Sequence, residues 1–382
     1  MFECYCAGIG RESIETYAIP VLILLHNVNA LLIFYFSLQD FCSNSFQKYQ
    51  DLPTSGAVDV EQFTINGNQF LAFANSRNDT DGFNTESFIY KMNNFTEKFS
   101  LYQTINTMGA EDMEYFTMAD KHYLAVANGR SVFKDRLNST IYQWNGQEFV
   151  VYQNVATRGA KKLMFFKIGI EPFLSVVTVY LENNRFYRVD SVIYKWRNNS
   201  FDEFQNLQKN GYYGASAAFV IKNETFIAVA AQSHFYVFKW SGEKFREVQS
   251  NNTYGARDVK SFKMNGQIFL AIANFEDDSK TNIFKWNGNE FVSFQSVRTN
   301  RAIAWHPFVM CGQTFLGVAN HGGKSVVYQA IGSRFVKYQE FSTQGAHGMT
   351  SFVLRGHTYL VVANAISGQD EFNINSTVYK LI

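Results

Sequence analysis

The sequence predicts an all-β fold: a seven-bladed β-propeller of four-stranded antiparallel blades, closed by an N-terminal strand in the last blade. Three observations carry this. A phenylalanine opening a Phe-x-x-x-Gln run recurs at Phe46, Phe99, Phe149, Phe201, Phe245, Phe291 and Phe335, in steps of 53, 50, 52, 44, 46 and 44 residues. Repetition at about 40–50 residues is a mark of propellers. Each copy holds four short runs rich in Phe, Tyr, Val and Ile, separated by Gly and Asn clusters, with no sustained helical period. The two ends are complementary: residues 46–50 have no preceding blade, and the last copy stops at Ile382 without a fourth strand.

The first strand of each copy starts at a Gly-Ala pair: Gly56-Ala57, Gly109-Ala110, Gly159-Ala160, Gly214-Ala215, Gly255-Ala256 and Gly345-Ala346, with Arg301-Ala302 in the sixth copy. Fourteen residues after each pair's first member stands an aromatic, except in copy four, where Phe226 comes two residues early. Asn66-Gly67 and Asn265-Gly266 lie between the first two strands, and Asn145-Gly146 and Asn287-Gly288 between the third and fourth. Asn-Gly suits a two-residue type I′ hairpin, which needs φ > 0 twice. The third strands end on Trp144, Trp196, Trp240 and Trp286, with an aromatic two residues earlier on the same face. A four-stranded sheet cannot bury both apolar faces alone, so these residues are expected in the core between stacked blades.

Residues 46–382 therefore form one domain. Residues 1–44 carry no repeat. Residues 18–38 are apolar and long enough to span a bilayer, but no positive n-region precedes them. A signal, a signal-anchor, or an artefactual or truncated N-terminus are the readings they support. Net charge is +1, so nothing electrostatic favours nucleic acid or an anionic membrane as partner. Of four cysteines only Cys311 lies in the repeats; Cys4, Cys6 and Cys42 precede them. That excludes a disulfide framework within the propeller, leaving a Cys42–Cys311 bridge or unpaired thiols. Asn78, Asn94, Asn138, Asn198, Asn223, Asn251 and Asn375 each open an Asn-x-Ser/Thr sequon in a loop or at a strand end, which favours the secretory route and a secreted or cell-surface location.

Two features point to function. Between the second and third strands, copies one, two, three and seven have long loops at residues 76–86, 129–139, 180–190 and 365–376. These copies are neighbours in a closed ring, so the loops form one arc on one face. Long loops on a rigid scaffold are where binding concentrates. Phe83, Phe133, Phe186, Tyr187 and Phe372 lie in them and are the expected partner-binding residues, unless the arc is only a glycan-bearing rim. Second, Asp59, Asp112 and Asp258 follow the Gly-Ala pair by two residues, where the other copies have Lys162, Ala217, Ala304 and Gly348. These positions ring the channel mouth. Asp59 and Asp112 are adjacent carboxylates of the kind that suits Ca²⁺, or else they accept backbone N–H groups.

The Phe-x-x-Tyr-Gln and Gly-Ala-x-Asp runs, Leu-Ala-x-Ala-Asn ending at Asn75, Asn128 and Asn274, and Ile-Tyr-x-Trp-Asn-Gly ending at Gly146 resemble the EAR, or epitempin (EPTP), repeat. The resemblance spans residues 46–382. It is shared with the leucine-rich glioma-inactivated proteins and, more closely, with the thrombospondin-type laminin G domain and EAR repeat-containing branch. It implies a secreted or cell-surface propeller that binds proteins, in some relatives linked to Notch signalling, with an ion in the channel that would rest on Asp59 and Asp112. No leucine-rich or laminin-G-like module precedes the repeats in this sequence.

Two other classes fit less well. A propeller glycosidase needs channel Arg and carboxylates with a Tyr nucleophile, and the mouth set is too mixed for that. His306, His321, His347 and His357 have no consistent partners in the sequence. An intracellular WD or Kelch scaffold would repeat Gly-His and Trp-Asp or Gly-Gly in register, and neither recurs. The reading is therefore a protein-binding module and no enzyme.

Overall fold

The computed structural model describes residues 19–23, 32–36, 44–129, 137–157, 159–182, 185–209, 214–276 and 280–382. Seven four-stranded antiparallel sheets form a ring. The innermost strands are Ala57–Ile65, Ala110–Met118, Ala160–Ile168, Gly214–Ile221, Ala256–Met264, Ala302–Met310 and Ala346–Leu354. Each packs beside the next, and the last packs beside the first. Ring closure is as the chain ends predict. Phe46–Pro53 pairs antiparallel with Asn375–Leu381 as the outer strand of blade seven.

The core divides into seven buried clusters, each shared by two adjacent blades. The closing strand serves two of them. Phe46 packs with Phe308, Phe341 and Tyr379, while Leu52 lies with Leu71, Tyr90 and Val361. Trp144, Trp196, Trp240 and Trp286 sit at blade boundaries, partly buried. Trp144 meets Phe70 and Phe149 edge-on at centroid distances of 5.9 and 5.2 Å. Edge-to-face contacts of this kind add to area burial.

The Phe-x-x-x-Gln run has a purpose that its spacing does not reveal. Each Gln reaches the backbone of the Phe opening the next blade's outer strand. Gln50 Nε2 donates to Phe99 O (2.8 Å) and Phe99 N donates to Gln50 Oε1 (2.9 Å). The same two-bond clamp joins Gln103 to Phe149, Gln153 to Phe201, Gln205 to Phe245, Gln249 to Phe291 and Gln295 to Phe335. Gln339 closes the circle on Phe46. Outer strands of neighbouring blades are too far apart to share a ladder, so a side-chain amide, which is both donor and acceptor, bridges them.

Three expectations need correction. Asn66-Gly67 and Asn265-Gly266 do have φ > 0 at both residues. Asn145-Gly146 and Asn287-Gly288 do not form two-residue turns. Asn145 Oδ1 accepts from Gln147 N and Glu148 N, both at 2.9 Å, and Asn287 does the same two and three residues on, so each heads a four-residue Asx turn. Residues 180–182 and 185–190 are strand and not loop: Glu171–Glu182 and Arg185–Arg197 are two long paired strands that run out to the Glu182–Arg185 pair. Phe186 and Tyr187 therefore lie on a strand. Blade four's Phe226 comes two residues early because its inner strand lacks the one-residue bulge that every other blade has after its Ala, and because its Gly-Ala pair stands one position further along the strand, with Gly214 in the place of Ala57. Pairing there puts Ala215, not Ala217, at the height of Asp59.

Cys311 is disulfide-bonded. Cys42, its partner in one of the readings the sequence leaves open, lies outside the described residues. In the apolar N-terminal segment, Ile19–Ile23 pairs antiparallel with Leu32–Phe36. Among the described residues no helix is long and apolar enough to cross a membrane.

Candidate functional site

The bulge after each inner-strand alanine inserts an extra residue and re-aims the next side chain. In blades one, two and five that side chain is Asp59, Asp112 or Asp258, and each reaches the following blade. Asp59 Oδ2 accepts from Met113 N (3.1 Å), Asp112 Oδ2 from Leu163 N (2.7 Å) and Asp258 Oδ2 from Trp305 N (2.9 Å). One layer deeper, Glu114 Oε1 accepts from Phe165 N (2.9 Å). The acids thus clamp the inner strands together as the glutamines clamp the outer ones. This is the backbone-capping alternative, with the amide supplied by the neighbouring blade.

Asp59 and Asp112 are brought together, with Lys162 between them. Its Nζ lies 2.5 Å from Asp112 Oδ1 and 3.5 Å from Asp59 Oδ1. All four oxygens of the pair are engaged, two by the ammonium and two by backbone amides. This donor set does not fit Ca²⁺, which takes six to eight oxygens. Among the described residues no group of three or more His, Cys, Asp or Glu is arranged to hold a metal.

Carboxylates outnumber ammonium groups in this connected cluster, and burial acts on both. Burial pushes the Asp112 carboxyl up, while the Lys162 ammonium 2.5 Å away holds it toward the charged form. Burial likewise raises Glu114 to about 7, and raises Glu61 well above the usual range, helped by Glu114 and Asp59. Lys162 is raised despite its burial, by Asp112 and Asp59, and Lys260 is raised chiefly by Asp258. On the other side of the channel, burial lowers His306 and His347 to about 3. His306 Nε2 pairs with Ser351 Oγ at 2.8 Å, and His347 Nε2 faces His321 Nδ1 at 3.0 Å.

These shifts predict a pH profile. The raised carboxyls lend stability that is fully present below their unfolded values and is lost as pH rises through the folded ones. The depressed histidines lend stability that is present above about 6.5 and is lost as pH falls. The two trends oppose each other below pH 6.5, and only the carboxyl trend remains above it. Stability therefore falls between pH 6.5 and 8, with a slope of about 1.4 kcal/mol per pH unit per proton. Denaturant unfolding at a series of pH values checks this; stability that is flat or rising over that window would contradict it.

The loop arc is ordered where blades seven and one meet. The Asp79 carboxylate accepts from Phe372 N (2.8 Å) and Asn373 N (2.9 Å), and these bonds hold its carboxyl below the usual range. The Arg77 guanidinium lies 4.6 Å from the Phe372 ring centroid and 5.4 Å from that of Phe83. Gly56 N donates to Phe372 O and Gly109 N to Phe83 O, both at 2.7 Å, so backbone bonds fix both phenylalanines. A cavity of about 360 Å³ opens beside the clasp, lined by Asn78, Thr80, Asp81, Asn84, Glu86 and Asn373 among others. Phe83 and Phe372 are thus joined through Arg77. Phe133 lies outside the described residues. Arg77 and Asp79 were not foreseen, because nothing local marks a contact between residues 293 apart.

The seven sequon asparagines are exposed or half-buried. Asn78 Oδ1 accepts from Thr80 N (3.1 Å) and Asp81 N (2.5 Å) within its own loop.

The EPTP domain family matches residues 45–92, 98–145, 244–287, 290–329 and 334–381. The human thrombospondin-type laminin G domain and EAR repeat-containing protein is 42% identical over 100 residues, which are 26% of this chain and 15% of that protein. The mouse protein of the same name is 31% identical over 170 residues, 44% of this chain and 25% of that protein. The matches thus span a quarter or less of those relatives' length. Among solved structures, BBS1N in its complex with ARL6DN, soaked with mercury, superposes with a TM-score of 0.59 at 13% identity, covering 89% of this chain and 97% of that one. That likeness concerns the fold alone.

Proposed function

Because this chain belongs to the EPTP domain family, we propose that it is a secreted or cell-surface protein-binding module that docks a receptor or adhesion partner through the part of the loop arc where blades seven and one meet. The clasp of Asp79 on Phe372 and Asn373, with Arg77 between two phenylalanine rings, is the observation that carries this. It is a pre-organised surface on a rigid ring, and pre-organisation lowers the ordering cost of binding. Aromatic and arginine side chains are the usual anchors of protein interfaces. The exposed or half-buried sequon asparagines support a glycoprotein of the secretory route, and a role in cell signalling, Notch-linked development included, rests on the family resemblance alone.

The test is a binding screen of the full chain against displayed ectodomains, followed by substitutions on both faces. Arg77→Glu and Asn84→Arg are expected to weaken the captured partner at least tenfold. Ile170→Glu, at a turn on the opposite face where Ile170 is 94% exposed, is expected to leave it unchanged. Equal loss from both faces, or loss only from Ile170→Glu, would refute the arc as the docking site.

A further inference from the structure

We propose that Lys162 is the resident cation of the channel mouth, filling the place that the family resemblance gives to a metal ion. Three blades contribute to the arrangement. Asp59 comes from blade one, Asp112 from blade two and Lys162 from blade three, all at the same height in their inner strands. The ammonium is 2.5 Å from Asp112 Oδ1 and 3.5 Å from Asp59 Oδ1, and the three side chains are 21%, 6% and 15% exposed for Lys162, Asp112 and Asp59. A metal on these two oxygens would have to share their space with a positive charge or expel it. The remaining oxygens already accept from Met113 N and Leu163 N, so neither carboxylate can turn to become bidentate without breaking an inter-blade bond.

The other four blades add little at this height. Their residues are Ala215, Asp258, Ala304 and Gly348, and Asp258 is bound to Trp305 N. Gly348 cannot be replaced by a ligand side chain, since a Cβ there would fall 2.9 Å from Asp59 Cα. A lysine on a four-carbon stem is a compact, hydratable point charge with three donors, well suited to bridge two carboxylates. It does covalently what an ion would do by binding, so closure at this rim does not depend on the surrounding calcium concentration.

The experiment follows thermal unfolding and calcium-45 equilibrium dialysis of the full chain, with EDTA or with millimolar calcium. The wild-type protein is expected to show no calcium-dependent shift in Tm and no bound ion. Lys162→Met leaves the two Oδ1 atoms without a cation. Its Tm in EDTA is expected to fall by several degrees and to recover partly in millimolar calcium. Lys162→Arg keeps the charge and is expected to remain indifferent to calcium. One calcium bound by the wild-type protein and lost in Asp112→Asn would overturn the proposal. So would a Lys162→Met protein as stable as wild type in EDTA. Should Lys162→Met fail to fold, the wild-type and Lys162→Arg measurements decide alone, calcium binding by either refuting the proposal.

Discussion

A chain lacking Phe46–Pro53 is expected not to reach the native monomer. That strand supplies a full ladder to Asn375–Leu381 and the clamp between Phe46 and Gln339. It also supplies Phe46 and Leu52, which are 3% and 1% exposed, to two different inter-blade cores. Burying each such side chain is worth about 2–3 kcal/mol, and each net ladder bond about 1 kcal/mol. The sum is on the order of 10 kcal/mol, comparable to the whole stability of a typical domain. The loss also leaves blade seven with a bare edge, a template for pairing with other chains. The expected result is aggregate or no secreted product. Leu52→Ala, a milder probe, is expected to cost about 2–5 kcal/mol in denaturant unfolding. A soluble monomer with an unchanged unfolding midpoint after deletion would show that the ring does not need this closure.

Asp258→Ala is expected to destabilise the ring at the channel. Asp258 is 1% exposed, takes the Trp305 amide at 2.9 Å, and is the main charge acting on Lys260. Removing it strands a buried N–H and weakens the negative field on the half-buried Lys260, at a cost of about 1–3 kcal/mol. Asp258→Asn is expected to cost less, because the amide oxygen still accepts from Trp305 N. If both variants unfold alike with wild type, the acid at this position has no structural role.

The repeat made most of the fold legible. Blade count, strand order, the first-to-second-strand turns and the closing strand all follow from patterns within about 50 residues, repeated in one register. The errors fell where one residue type serves two geometries. Asn-Gly is a two-residue turn when both φ are positive and an Asx turn when the Asn carboxamide oxygen accepts from the amides two and three residues on, and the dipeptide alone does not distinguish them. Residues 180–190 look like a loop because their polar and charged residues interrupt the apolar pattern, yet residues 180–182 pair back onto residues 185–188 across a register shift. The glutamine clamp was visible as a motif in all seven copies, but the spacing did not state its partner, which lies on the next blade.

The sequence by itself determined that seven like sheets stack into a ring, which aromatics lie between them and, in every blade but the fourth, which residue stands at the channel mouth. That information is local or repeats at a constant interval, so one strand of chain is enough to carry it. Only the tertiary structure decided what those channel residues do. Spacing sets the height of Asp59, Asp112 and Lys162 along their strands, but not the distances across the axis where three blades converge. The same holds for Asp79 on Phe372 and Asn373, which meet only because the two ends of the chain share a blade.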